Sequence, residues 1–232
     1  MRESFLRLGE ATRRLKAKGR VGPLTVSAMP SFAGKWLVPR LRRFRERHPD
    51  IDVRISADSH LTDFEREDVD IAVRYGRGVW ANDLRVDLLM RETMFPVCSP
   101  KLLEGPIPLK TESDLRHHTL LIDYDWRVDF WQLWLDAAGV DDVVPKHSLS
   151  FNYSNLMLQA AIDGLGVGLS QMALAGDDLA AGRLVKPFDI TMPTEYAYYV
   201  VSPALTSDRP KIVAFRNWLF DEASIGRGDP TG

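Results

Sequence analysis

The stretch that decides the fold is residues 24–57, LTVSAMPSFAGKWLVPRLRRFRERHPDIDVRISA. Apolar residues alternate with polar ones over 24–28 and, more strictly, over 51–55, a pattern that is typical of half-buried β-strands. Between these segments apolar residues recur at helical spacing over 36–44, and Pro49 follows where the helix should stop. The stretch therefore predicts a strand–helix–strand unit.

The same alternation of strands and helices continues along the chain. Further strands are expected over 69–75, 86–90, 94–98, 120–123, 148–151, 167–170, 184–187 and 196–202. Further helices are expected over 63–67, 112–117, 130–138, 154–163, 171–180 and 210–223. Strands that alternate with helices favour an α/β fold with mainly parallel pairing, and two rounds of such elements indicate two similar lobes.

The composition, with 45% apolar and 27% charged residues, is that of an ordinary globular protein. No apolar run approaches the ~20 residues of a membrane-spanning helix, and the N-terminus has no apolar signal-peptide core. We therefore expect a cytoplasmic chain with no membrane partner. The single cysteine, Cys98, lacks the cysteine and histidine neighbours of a zinc site, so we expect it to pack in the core and expect no metal.

Charge is spread unevenly along the chain. The net charge is -2, but residues 1–20 contain seven basic and two acidic residues, so that residues 21–232 carry -7. The basic segment reads as an amphipathic linker helix, whose narrow apolar stripe requires a partner. The acidic remainder repels phosphates and is a poor candidate for nucleic-acid binding. A tail over 225–232, rich in Gly, Asp and Pro, is expected to be disordered.

Three segments resemble LysR-type transcriptional regulators, and among them the glycine-cleavage-activator-like subgroup. They are PSFAGKWLVPRLRRFRERHPDIDVRI over 30–55, DFEREDVDIAVRYGRGVW over 63–80 and FPVCSPKLL over 95–103. The resemblance implies an effector-binding domain with a type 2 periplasmic-binding-protein-like fold, in which two Rossmann-like lobes are joined by two crossover strands. It also implies no enzymatic activity and no cofactor.

The resemblance further implies the arrangement of the parts. The expected parts are a dimerisation linker helix over 1–20, a first lobe over 21–98 and 200–224, a second lobe over 99–199, and crossovers over 96–99 and 199–203. A full family member begins with a helix-turn-helix domain, of which residues 1–18 resemble only the trailing linker. We therefore expect DNA contact only through a domain that this chain lacks, whether the chain is a fragment or a truncated gene product.

The first candidate ligand contacts are Ser31, Phe32 and Ala33, where the first strand turns into the first helix. Ser31 is a good N-cap, and such a turn exposes backbone N–H groups and a positive dipole end that favour a carboxylate. A capping role alone needs no ligand. Pro39 lacks a donor for its helical turn and must kink or restart the helix.

Four more candidates on the first lobe follow predicted strands. Ser59 and His60 follow the second strand, Tyr75 ends the third, and Trp80 lies in the loop beyond. Ligands of open α/β sheets bind at the carboxyl ends of strands, where these residues fall. The alternative is ordinary loop chemistry, with Trp80 covering the core.

The second lobe supplies Tyr124, after a strand, and Tyr153, Ser154 and Asn155, which open a helix. The resemblance makes the last three contacts that bridge a closed form, whereas Ser154 could also be a mere N-cap. The glycines within 164–168 fail the dinucleotide-binding spacing and are interpreted as a turn into a buried strand.

The expected partners are a small-molecule effector, for example a carboxylate or an amino-acid derivative, and further copies of the chain in a homodimer or homotetramer. The resemblance implies that residues 36–47 of one copy lie against 156–163 of another. Two alternatives share the fold or the cleft. One is a stand-alone or exported solute-binding protein, and the other is an enzyme, for which no nucleophile elbow, Walker loop or zinc motif is present.

Overall fold

The computed structural model of the chain describes residues 22–124, 128–140 and 143–225. The expected linker helix over 1–20 and residues 226–232 of the expected tail lie outside these ranges. Ile225, placed in the tail by the sequence, is instead the last residue of a helix.

The described residues form strands and helices in alternation, as expected. The strands are β1 (Leu24–Ala28), β2 (Val53–Ala57), β3 (Ile71–Gly76), β4 (Leu84–Val97), β5 (Thr119–Asp123), β6 (His147–Phe151), β7 (Val167–Ser170) and β8 (Met192–Pro203). The α-helices are α1 (Pro30–Phe32), α2 (Val38–Arg47), α3 (Lys101–Glu104), α4 (Phe130–Ala138), α5 (Ser154–Ile162), α6 (Met172–Ala180) and α7 (Pro210–Ile225). A π-helix, Ala33–Leu37, joins α1 to α2, and 3-10 turns cover Glu112–His117 and Ala204–Thr206.

The strands follow the order β2-β1-β3-β8-β4-β7-β5-β6. We call β2-β1-β3-β8-β4 the first sheet and β4-β7-β5-β6 the second sheet. They meet at β4, which pairs with β8 up to Met94 and with β7 from Phe95 onward. A long shared strand of this kind ties two sheets together while letting each keep its own helices.

Pairing among the described strands is mixed: four of the seven strand pairings are parallel, in agreement with the expectation of mainly parallel strands, and three are antiparallel. Each sheet has a parallel core, β2-β1-β3 in one and β7-β5-β6 in the other. The long strands β4 and β8 run antiparallel to their neighbours because they carry the chain between the sheets. Residues 199–203 pair with β3 and β4 inside the first sheet, so the second crossing lies nearer to Met192 than expected.

Three local expectations also fail. Residues 63–67 form hydrogen-bonded turns instead of a helix, since the side chain of Asp63 accepts bonds from the backbone of Glu65 and Arg66. The two strands expected over 86–90 and 94–98 are replaced by the one continuous strand β4, which ends at Val97. Residues 184–187 make only an isolated bridge, between Val185 and Cys98.

The largest core cluster extends across both sheets. It joins Leu24 and Phe44, on the side of the first sheet, to Met157 and Leu174, which belong to helices of the second. A second cluster packs Trp134 and other apolar side chains beneath the second sheet. Because one apolar core runs through the junction, the relative position of the sheets is set by packing as well as by the two crossing strands.

The glycines over 164–168 form a turn into a strand, as expected. Gly164 has φ +82°, in the left-handed region that glycine favours, and β7 begins three residues later. A Cβ added at Gly166 would lie 2.2 Å from the carbonyl oxygen of Thr119. The strands β5 and β7 therefore pack closely only because residue 166 has no side chain.

We expect the substitution Gly166→Ala to lower the free energy of unfolding by about 1–3 kcal/mol or more, since the added methyl group must push a backbone carbonyl aside. Urea unfolding followed by circular dichroism measures the change. Gly34→Ala is the matched control, because a Cβ there meets no atom within 4 Å. Equal stability of the two variants would contradict the assigned packing.

Candidate functional site

A cleft opens where the carboxyl ends of β1 and β3 face the start of α5. It contains a cavity of about 210 Å³, here called the junction cavity, whose walls come from both sheets. An adjoining cavity of about 420 Å³, called the inner cavity, extends beneath α4. Asp123, Ser154, Gln171 and Leu174 line both, so the two cavities form one continuous cleft.

Most of the predicted contacts come together in this cleft. The junction cavity is lined by Ser31, Phe32, Ser59, Tyr75, Tyr153 and Ser154. Tyr124, with 62% of its surface exposed, lines the inner cavity. Trp80 lines a third, separate cavity, and Ala33 is buried in the core instead of facing a cavity. His60 and Asn155 line none of the three, although Asn155 contacts a residue that does.

Ser31 links the two sides of the cleft. Its hydroxyl donates to Oδ1 of Asn155 (3.2 Å) and accepts a bond from the backbone N–H of Asn155 (3.1 Å). Its expected role as an N-cap is wrong: Pro30 takes the first helical position, which suits its fixed φ, and Met29 becomes the capping residue. The hydroxyl is therefore free to reach the opposite helix.

Ser154 lies at the first position of α5 and does not cap it either. The capping residue is Tyr153, which makes no side-chain capping bond. The hydroxyl of Ser154 donates instead to a carboxylate oxygen of Asp123 (2.5 Å), at the end of β5. A carboxylate and an uncapped helix N-terminus thus adjoin on the wall of the cleft.

Ion pairs hold the two sides together above the cleft. Lys35 pairs with Asp178 (2.9 Å), and Arg40 makes two hydrogen bonds to Asp177 (2.9 and 2.8 Å). The acidic residues lie on α6, and the basic residues lie on the helical segment that begins at α1. Asp178 is only 4% exposed, and Arg183 pairs with it as well, so this buried carboxylate is paired with two cations.

Pro39 lies at the start of α2, directly after the π-helix. This agrees with the expectation that it must kink or restart the helix, because a proline lacks the N–H that a regular turn uses. The irregular turn carries Lys35 and precedes Arg40. It therefore sets the side of the helix from which both cations reach α6.

Sequence reasoning missed Arg74, Gln171 and Tyr198, which also line the junction cavity. Arg74 is 4% exposed and donates to the hydroxyls of Ser27 and Thr62, both at 2.6 Å. Burial lowers the pKa of its guanidinium. The available clue was a lone cation inside the apolar strand IAVRYG.

Tyr75, Tyr198 and Gln171 supply polar groups to the wall of the junction cavity. Tyr198 donates its hydroxyl hydrogen to Oε1 of Gln171 (3.1 Å), and both residues are at most 4% exposed. Burial raises the pKa of Tyr75 and of Tyr198, so both phenols stay protonated at neutral pH. These three residues therefore offer neutral hydrogen-bonding groups instead of a nucleophile.

Metal-ligating groups and the single thiol can be located within the described residues. Within residues 22–124, 128–140 and 143–225 no group of three metal-ligating side chains is placed to hold an ion. Cys98 is fully buried, and burial raises the pKa of its thiol to about 12. Over the same ranges, no helix combines the length and apolarity needed to cross a membrane.

His60 ties together the loop that borders the junction cavity. Its Nδ1 contacts Oδ1 of Asp58, and its Nε2 lies 3.1 Å from Oε1 of Glu67. The hydrogen bond to Glu67, supported by Asp58, raises the pKa of His60. The loop carries Ser59 and Leu61 into the cavity wall, so this exposed cluster positions lining residues without being one itself.

Comparison with known proteins gives one consistent result. The family model described as the LysR substrate binding domain matches residues 17–224. The chain is 44% identical over 224 residues to the glycine cleavage system transcriptional activator of Escherichia coli (strain K12), covering 97% of this chain and 72% of that protein. It is 34% identical over 224 residues to the transcriptional activator AmpR of Pseudomonas aeruginosa, covering 96% and 73%.

Solved structures of similar shape include two effector domains. The effector domain of AmpR from Pseudomonas aeruginosa has a TM-score of 0.74 and 33% identity, covering 88% of this chain and 96% of that one. The AmpR effector binding domain from Citrobacter freundii also has a TM-score of 0.74, with 29% identity and coverage of 88% and 98%.

We expect His60 to titrate above the ordinary histidine value of about 6.5, because two carboxylates favour its protonated form. The contact therefore stabilises the loop below that value and is lost as the pH rises through the raised pKa. A titration of the ring proton by NMR measures the midpoint.

Glu67→Gln should lower the midpoint, since it removes the largest cause of the shift, whereas Glu46→Gln on α2 is the matched control. A midpoint in the unmodified chain at or below the ordinary value would contradict the cluster.

Proposed function

Because the chain belongs to the family of the LysR substrate binding domain, we propose that its small-molecule effector binds in the cleft between the two sheets. The predicted periplasmic-binding-protein-like fold and the predicted function as the effector-binding domain of a LysR-type transcriptional regulator are confirmed by the same matches. The curated relatives are transcriptional regulators and not enzymes.

The observation that carries the proposal is the hydrogen-bonded pair of Ser31 and Asn155. It places donors and acceptors from both sides of the cleft beside a cavity that is continuous with a larger one. A ligand in this position touches both sides at once. Such a ligand distinguishes between arrangements of the two sides, which is the requirement for a sensor.

The charges along the cleft favour a small carboxylate or an amino-acid derivative. Arg74 supplies a buried cation, and the start of α5 supplies the positive end of a helix dipole. Asp123 supplies a carboxylate that suits an ammonium group or a hydroxyl. The larger inner cavity has an apolar wall that includes Phe130 and Trp131, which suits a hydrophobic side chain.

The signal would be a change in how the two sides pack. Since one apolar core crosses the junction, we infer a small adjustment of α1 and the π-helix against α5 and α6 rather than a wide opening. The ion pairs of Lys35 and Arg40 lie on these same elements, so they would be strained or strengthened by the adjustment. The adjustment would then reach the surface that contacts a second copy.

A homodimer or homotetramer in the cytoplasm completes the proposal. Members of this family act as oligomers on DNA, and the relatives are bacterial regulators. The proposed interface sets α2 of one copy against α5 of the other, where Val38 (52% exposed) and Leu156 (47% exposed) present apolar surface. Contact with DNA would use a domain other than residues 22–225.

We expect a screen of amino acids and small carboxylates by thermal denaturation to find a compound that raises the melting temperature of the chain by mass action. Ser154→Ala should weaken binding of that compound about ten-fold, the effect of losing one hydrogen bond of ~1.4 kcal/mol. Isothermal titration calorimetry measures the dissociation constant.

Ser150→Ala, on the exposed edge strand β6, is the matched control and should leave the affinity unchanged. The proposed site is wrong if every stabilising compound binds Ser154→Ala as tightly as the unmodified chain.

We expect Val38→Glu to dissociate the dimer, because it places a charge against the apolar surface of Leu156 in the proposed interface. Light scattering after size exclusion measures the molar mass. Leu205→Glu is the control, since Leu205 is fully exposed and lies in a 3-10 turn away from α2 and α5. A dimer that survives Val38→Glu at the same concentration rules out this interface.

A further inference from the structure

A third cavity, of about 250 Å³, lies beside β3 and is separate from the cleft. Its walls come from the loop 61–64, from β3, from the segment 79–84 and from Val201 of β8. We call it the β3 cavity. It shares only Leu61 and Arg74 with the junction cavity and no lining residue with the inner cavity.

Two buried N–H groups at this cavity have no hydrogen-bond partner. They are Nε of Arg74 and Nε1 of Trp80. A buried donor without a partner costs about 1–3 kcal/mol, so native structures rarely keep two of them on one cavity without a ligand or water to accept the bonds. Trp80 lines the β3 cavity and neither of the others, whereas Arg74 lines the junction cavity as well, so the β3 cavity is the one that both residues line.

Arg74 also lacks an anionic hydrogen-bond partner within the part of the chain that the structure describes. Its guanidinium bonds to the hydroxyls of Ser27 and Thr62 and to the carbonyl of Val73. Asp58 and Glu67 act on it only through space. A cation that is 4% exposed and bonded only to neutral oxygens is suited to an anion that comes from outside the chain.

The rest of the cavity wall is apolar. Phe64, Leu84 and Val201 line it, and Leu61 and Val79 stand at its edge with 74% and 90% of their surface exposed. Apolar side chains that are this exposed around a concave wall indicate a surface that a ligand covers. The cavity therefore combines an apolar body with one cationic and one neutral donor.

We infer that the β3 cavity is a second ligand site, specific for a small monocarboxylic acid with an aromatic or branched apolar body. The carboxylate accepts hydrogen bonds from Arg74 and from the indole N–H of Trp80, and the apolar body packs against Leu84 and Val79. The β3 cavity shares Leu61 and Arg74 with the junction cavity, so the two sites are told apart by residues that line only one of them, Val79 and Trp80 for the β3 cavity and Ser154 for the cleft.

Titration of the 15N-labelled chain with phenylacetate tests the inference. The indole resonance of Trp80 and the backbone resonance of Val79 should shift in a saturable manner, while the resonances of Tyr153 and Ser154 in the cleft stay in place. Phenylacetamide, which has the same shape without the charge, should bind about ten-fold more weakly, because it loses a charge-assisted hydrogen bond.

Two variants place the site. Arg74→Gln should weaken binding of phenylacetate about ten-fold, whereas Arg77→Gln, at a half-exposed arginine paired with Glu195, should not. Val79→Glu adds a negative charge at the edge of the cavity at a position too exposed to affect folding, and it should weaken binding several-fold.

The inference is overturned if phenylacetate shifts the cleft resonances instead, if phenylacetamide binds equally well, or if Val79→Glu leaves the affinity unchanged. Absence of any saturable shift also overturns it. Such a result would not contradict the proposed effector site in the cleft, because binding in the cleft is tested separately with Ser154→Ala.

Discussion

The structure depends on one contact between distant parts of the chain, the pair of hydrogen bonds that joins Ser31 to Asn155. These residues are 124 positions apart and begin helices on opposite sides of the cleft. The contact fixes how the ends of the first sheet face those of the second. The cavities lie beside this contact, and the continuous core and the ion pairs of Lys35 and Arg40 act together with it to hold the two sides in place.

The cleft is also where polar groups are buried in an otherwise apolar junction. Ser154 donates a hydrogen bond to Asp123, and Tyr198 donates one to Gln171, so these polar groups have partners within the chain. A ligand therefore has to exchange existing hydrogen bonds for new ones. This exchange favours a ligand whose polar groups replace the lost hydrogen bonds over a molecule that only fits the volume of the cleft. It is the physical basis of specificity in such a site.

Much of the fold could be predicted from local sequence pattern, and the site only in part. The strand–helix–strand unit follows from the periods of its apolar residues, and the clustering of Ser31 with Tyr153 and Ser154 follows from family resemblance. The hydrogen-bond partners of these residues could not be predicted from the sequence. Ser31 resembles an N-cap in sequence, but Pro30 moves the helix start by one residue and releases the hydroxyl for a partner that local pattern cannot reveal.

Charged residues within strands and turns also limited what could be predicted from the sequence. Arg74 interrupts an apolar strand, where a cation ordinarily indicates a solvated face, yet it is buried and bonded to Ser27, 47 positions away, and to Thr62, 12 positions away. Residues 63–67 have the polarity of a short helix, but the carboxylate of Asp63 bonds to nearby backbone N–H groups and favours turns. Tertiary contacts decided both cases.

The central claim, that Ser31 and Asn155 couple the two sides of the cleft, is tested most directly by a double-mutant cycle on these two residues. The free energies of unfolding of Ser31→Ala, Asn155→Ala and the double variant are compared with that of the unmodified chain. We expect a coupling energy of about 0.5–3 kcal/mol, as is found for residues in direct contact. Additive effects, with no coupling energy beyond the experimental error, would contradict the account.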